Sequence, residues 1–172
     1  MLEFTTRRHI AHLYPQRPGE KRLGDRVHTI ADWDQLADIE APFVLLGIAE
    51  DLGVRANRGR PGAREAWNYF LPAFLSVQDN AFLRGHQVII AGALEFPDLL
   101  EQARDLEPLT HLDTLRQMTA EVDEVVSATL QEIVRHGKVP IVIGGGHNNC
   151  YGIIKALARH HRQALSVLNI DP

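Results

Sequence analysis

His147 and Asp171 are the residues whose positions in the sequence point most directly to chemistry. His147 follows Ile141-Val142-Ile143 through three glycines, and Asp171 follows the apolar run 164–170. In an open parallel sheet, ligands bind outside the carboxyl ends of the strands. An imidazole and a carboxylate there can face one small space if their strands are neighbours, and both are suitable ligands for a divalent ion. The glycines let the backbone turn sharply and leave room beside the ring. Two blander readings stand next to this one. A glycine-rich turn between strand and helix can cradle a phosphate, but GGGHNNCYG has neither the G-x-x-x-x-G-K-[ST] nor the G-x-G-x-x-G spacing. A single histidine after a strand is commonly a hydrogen-bonded structural residue, and Asp171 equally suits the N-cap of a following helix.

The elements that must position these residues read as alternating strands and helices. Residues 43–48, 139–143 and 164–170 are continuous apolar runs of strand length, with a further strand at 87–91. Runs of this kind mark strands buried on both faces. The clearest helix is 112–136, where Leu115, Met118, Val122, Val126 and Ile133 recur at helical spacing. Thr110 and Asp113 have capping-box spacing before it, and Gly137 is a natural stop after it. A second helix is expected to start near Pro61 and end by Pro72, and a third to cover 149–161. Residues 1–40, rich in charge and carrying Pro15, Pro18, Gly19 and Gly24 with a short helical stretch at 32–39, read as an arm packed on the domain of residues 41–172. Forty such residues cannot bury a core of their own. The expected fold is α/β, three layers with helices on both faces of a mostly parallel sheet.

Composition narrows the class. With 172 residues, 45% of them hydrophobic and 23% charged, the chain is one globular domain. The size relation gives a folded surface of roughly 8,500 Å². Eighteen Lys and Arg against 22 Asp and Glu give a net charge of −4 without a basic run, which argues against nucleic-acid binding. No apolar run is long enough for a membrane span, and the start MLEFTTRRHIAHLYPQR lacks the apolar core of a secretory signal. One cysteine, Cys150, excludes an internal disulfide and suits the cytoplasm.

The segment Pro140-Ile141-Val142-Ile143-Gly144-Gly145-Gly146-His147-Asn148-Asn149-Cys150-Tyr151-Gly152 resembles the first metal motif of the arginase/agmatinase/formiminoglutamase (ureohydrolase) family. Leu168-Asn169-Ile170-Asp171-Pro172 resembles the start of its second motif, Asp-x-His-x-Asp. Gly47-Ile48-Ala49-Glu50-Asp51, with Gly53-Val54, Asn57, Gly59-Arg60 and Gly62-Ala63, resembles the N-terminal loop as the formiminoglutamase-like branch writes it. The likeness covers about residues 41–172 and matches the N-terminal half of such an enzyme. It implies an arginase-like fold, apparently truncated, and a binuclear manganese centre whose bridging hydroxide attacks a guanidinium or formimino carbon of a small amino-acid substrate in amino-acid catabolism. It also implies that His147 is a terminal ligand of one manganese and that Asp171 opens the second motif as a bridging carboxylate.

The departures from the family pattern are equally specific. The chain stops before the His and second Asp of the second motif, and the later Asp-x-Asp motif is missing. Ala91-Gly92-Ala93 stands where many members have Gly-Asp after the second strand. Two ligands out of six predict a chain that is inactive alone. The alternative from another class is a non-catalytic half-domain serving assembly or binding, and a homo-oligomer is compatible with either reading. Lesser expectations concern single residues. Asn57, Arg58 and Arg60 read as a structural loop or as an active-site rim. Cys150 reads as a small buried residue, with a lowered thiol pKa as the other reading. Asn148 or Asn149 reads as a helix cap. His9, His12, His160 and His161 read as surface or helix-end residues. Trp67, Tyr69 and Phe70 are expected to help cover an open sheet edge.

Overall fold

A computed structural model of the protein describes residues 1–161 and 164–170. The N-terminal stretch supplies β1 (Leu2–Phe4), α1 (Arg7–Ile10), α2 (Leu23–Arg26) and β2 (His28–Thr29). Then β3 (Phe43–Ala49) leads through α3 (Leu52–Ala56) and α4 (Ala66–Ser76) to β4 (Val88–Glu95). Next, α5 (Pro97–Gln102) and the long α6 (Leu112–Arg135) return the chain to β5 (Val139–Ile143), and α7 (Asn149–His161) follows. Strands β3, β4 and β5 are parallel with β3 in the centre; β1 runs antiparallel on the outer edge of β4, and β2 pairs parallel beside it.

Alternation along β3 builds the two apolar layers. Val44, Leu46 and Ile48 face Leu115, Met118, Val122, Val126 and Leu130 of α6, with Leu52 and Ala156 alongside. Leu45 faces the other way, toward Trp67, Leu71 and Leu75 of α4 and Ile10 and Leu23 of the N-terminal helices. The sheet is therefore covered on both sides, a three-layer α/β fold with a mostly parallel sheet. In β4 the alternation slips. Val88 and Ile90 belong to the α4 layer and Ile89 and Ala91 to the α6 layer, yet Ala93 returns to the first and Leu94 to the second. The cause is a bulge: Leu45 pairs with Ile90 but Leu46 with Gly92, leaving Ala91 as the extra residue. Residues 91–93 thus lie inside a strand that continues to Glu95, where the sequence had suggested a strand end.

Four local expectations are corrected. A 3-10 turn at Ala63–Glu65 precedes α4, and Pro72 sits inside that helix. The i, i+4, i+8 stripe of Trp67, Leu71 and Leu75 buries enough surface to outweigh a proline cost of about 3 kcal/mol. His111, not Thr110, is the N-cap of α6, with no side-chain capping bond; the Thr110 hydroxyl instead meets His111 Nδ1 at 2.9 Å. Strand β5 is half-exposed rather than doubly buried, because it pairs only with β3 at the end of the described strand order, with Val139 and Ile141 open at 51% and 39%. Finally, residues 164–170 form no strand: Val167, Leu168 and Ile170 are exposed, without a ladder partner among the described residues. Strand preference is realised only by pairing and burial, and this mostly exposed segment joins no ladder among the described residues. The total surface, 10306 Å², is accordingly about a fifth larger than the size relation predicts.

Candidate functional site

From β3 the chain enters α3, whose Leu52 packs in the α6 layer, and only then crosses to α4 on the opposite face, while β5 leads to α7 in the α6 layer. The carboxyl ends of parallel strands are where ligands commonly bind in such sheets. Glu50 and Asp51 stand at the end of β3, and Gly144 to His147 at the end of β5. Gly144 and Gly145 have φ of 87° and 71°, in the left-handed region that glycine adopts without strain. They turn the chain so that His147 emerges exposed just before α7.

Glu50 ties the two strand ends together. It is fully buried, and its Oε1 accepts hydrogen bonds from the Gly146 N–H at 2.9 Å and from Asn149 Nδ2 at 2.6 Å. Its Oε2 accepts the Leu52 N–H at 2.7 Å. Asn149 Nδ2 also donates to the Gly146 carbonyl at 3.0 Å, so this side chain braces the turn instead of capping α7. Asp51, also buried, accepts the Gly62 N–H at 2.8 Å and closes the loop after α3. Arg55 donates to the Leu106 carbonyl at 2.8 Å, anchoring α3 to the segment ahead of α6.

From the α6 side, Asp123 faces Asn148. Burial is the main cause that raises the Asp123 carboxyl to about 6; the Glu50 and Glu124 charges add to this, while the Asn148 amide and Lys155 draw it back. That amide is close, but Asp123 Oδ1 and both polar atoms of Asn148 make no hydrogen bond of good geometry, and Asn149 Oδ1 is equally unpartnered. A carboxyl whose folded pKa is raised binds its proton more tightly folded than unfolded, so its contribution to stability falls as pH rises from about 4 to 6. Asp123→Asn is expected to stabilise the protein at pH 7 by about 1 kcal/mol, after discounting for solvent screening, and to flatten the stability profile between pH 4 and 7. Urea unfolding at several pH values measures this; an unchanged profile would refute it.

The sequence-derived candidates are placed unevenly. His147 is exposed at the carboxyl end of β5, while Asp171 lies outside the described residues. Among the described residues no three His, Cys, Asp or Glu side chains come together to hold a metal ion. Asn57, Arg58 and Arg60 form an exposed turn after α3. Cys150 is exposed, not buried, because α7 turns Asn149, Gly152 and Ala156 inward and position 150 away. His160 and His161 end α7 with exposed, edge-to-face rings. Trp67 packs under the sheet face against Gly47, Phe70 stacks between Trp67 and Phe74, and Tyr69 points to solvent. A cleft of about 800 Å³ lies elsewhere, at the ends of β3 and β4, among Asp51, Arg55, Arg64, Glu65, Glu95 and Arg104. From sequence, Asn149 reads only as a helix cap and Glu50 only as part of the N-terminal loop motif, and Asp123 has no role. A carboxylate directly after a buried strand was the available signal for Glu50; nothing local marks Asp123.

Comparison with known proteins places this arrangement. The arginase family model matches residues 41–172. A formimidoylglutamase of Geobacillus thermodenitrificans is 31% identical over 154 residues, 87% of this chain and 41% of its own length. One of Aromatoleum aromaticum is 32% identical over 81% of the chain and 40% of its own length, and one of Vibrio cholerae 28% over 90% and 42%. The chain spans about two fifths of the length of these curated relatives. With its parallel three-layer sheet, its glycine turn into His147 and a match over three quarters of its residues, the chain belongs to the arginase family.

Proposed function

We propose that this chain supplies part of a manganese-dependent centre that hydrolyses a C–N bond in a formimino or guanidino amino acid, and that alone it is inactive. The observation that carries the reading is the position of His147: an imidazole at the carboxyl end of β5, beside the end of β3, in a chain whose relatives are named formimidoylglutamases. His147 and Asp171 are the proposed metal ligands. The fit is partial, since an imidazole in an open glycine turn suits a divalent ion but a complete site needs donors beyond the described residues. When bound, paired ions supply an activated hydroxide and stabilise the developing charge. This chain's own part is to present the imidazole from a rigid turn and to keep Glu50 and Asp51 committed to backbone N–H groups. Residues 1–40 act as a packed arm of the same domain, through β1 and β2 on β4. The lone cysteine favours a cytoplasmic setting, and no helix among the described residues is long and apolar enough to cross a membrane.

The test exploits the paramagnetism of Mn²⁺. Titrated into the labelled chain, it is expected to broaden the His147 ring signals first and to be lost on dialysis, since manganese is near the weak end of the divalent series. His147→Ala should remove the broadening from residues 144–149. Broadening centred elsewhere, with His147 untouched, would overturn the ligand assignment.

A further inference from the structure

We propose that Glu50 is the positioning residue for His147: its buried carboxylate locks the β5 turn onto the end of β3 and so sets where the imidazole points. The role rests on the ligand assignment of His147 only for its purpose, while the lock itself stands on geometry. Three N–H groups converge on one carboxylate, two of them from the turn and α7 and one from α3, at 2.6–2.9 Å. Both oxygens are used and the residue has no solvent exposure, so water cannot replace a lost partner. Gly146 and Asn149 flank His147 by one and two residues, so the bonds grip the backbone on both sides of the imidazole. From the other side, Asn148 wedges against Gly53 and Gly146. The imidazole-bearing residue itself is exposed, and the buried carboxylate holds the backbone that carries it.

Glu50→Gln tests the polarity of the lock with almost no change in shape, because it aims an amide N–H₂ at donors. Backbone hydrogen exchange and the His147 ring resonances are read in the same samples. The expected result is exchange at Gly146 about tenfold faster, the size of one lost charge-assisted hydrogen bond, with shifted His147 ring signals and unchanged protection in β3 and β4. Equal acceleration throughout the sheet, or unchanged exchange at Gly146, would overturn the proposal. If Glu50→Gln does not fold, Asn149→Ala decides: it removes one donor and should shift the His147 ring with a smaller rise at Gly146, and an unmoved ring refutes the lock. Manganese broadening is measured separately on the parent chain. Its failure there removes the metal reading, while the exchange result still judges Glu50.

Discussion

Given manganese and formiminoglutamate, arginine or agmatine, the 172-residue chain is expected to release no product above the uncatalysed background. Enzymes lower such barriers enough for accelerations of about a millionfold and more, and here essentially all of that should be missing. A catalytic metal takes about three protein ligands besides its water. Among the described residues the ends of β3 and β5 offer one imidazole as ligand, because Glu50 accepts three N–H groups and Asp51 another. Without fixed ions there is no activated hydroxide, and an unfixed substrate forgoes the further gain from orientation. The assay follows amine or amide release over hours, with His147→Ala as the matched control. Turnover that disappears in His147→Ala would show the chain to be catalytic by itself and would overturn the expectation.

Gly92→Ala should be the most damaging single-methyl change in the sheet. Gly92 has φ of 137°, a conformation closed to L-residues at a cost of about 1–3 kcal/mol. An added Cβ would also overlap the Glu3 carbonyl oxygen, so β1 must leave the edge of β4, where Phe4 pairs with Gly92. Together the loss should reach about 3 kcal/mol, a large share of a typical 5–15 kcal/mol total. For a chain of this size that lowers Tm by about 6–12 °C. The bulge at Ala91 also sets which face Leu94 occupies, so repacking should extend to Phe96 and α6. A variant melting within about 2 °C of the parent, judged against the usual size of a surface substitution, would show that the bulge tolerates a side chain.

Most of the architecture was legible in the chain itself because its causes are local. Phe43–Ala49 and Val139–Ile143 are apolar runs bounded by turn residues, and Leu112–Arg135 carries a helical stripe ended by Gly137. The glycine turn before His147 was equally plain, since φ of 87° and 71° calls for glycine wherever the turn sits. Family membership followed from short motifs in order, which need no knowledge of how the strands pair. Boundaries were weaker where packing overrides propensity, as when the α4 stripe carried the helix through Pro72.

Other features depend on groups far apart in sequence, and there local reading stopped. Glu50 meets Gly146 and Asn149 across 96 and 99 residues, so its role appears only once β3 and β5 lie side by side. Asp123 is an ordinary polar position on α6 until α7 packs against it and removes its water, which moves its carboxyl to about 6. The run at 164–170 has every local mark of a buried strand, yet Leu168 and Ile170 remain 85% and 86% exposed. Sequence by itself determined which segments are apolar, which turns need glycine and which family the motifs belong to, because those follow from side chains and near neighbours. Tertiary structure alone decided which strand finds a partner, which carboxylate holds the histidine turn and which carboxyl titrates above its usual range, because pairing and desolvation are properties of surfaces brought together from distant parts of the chain.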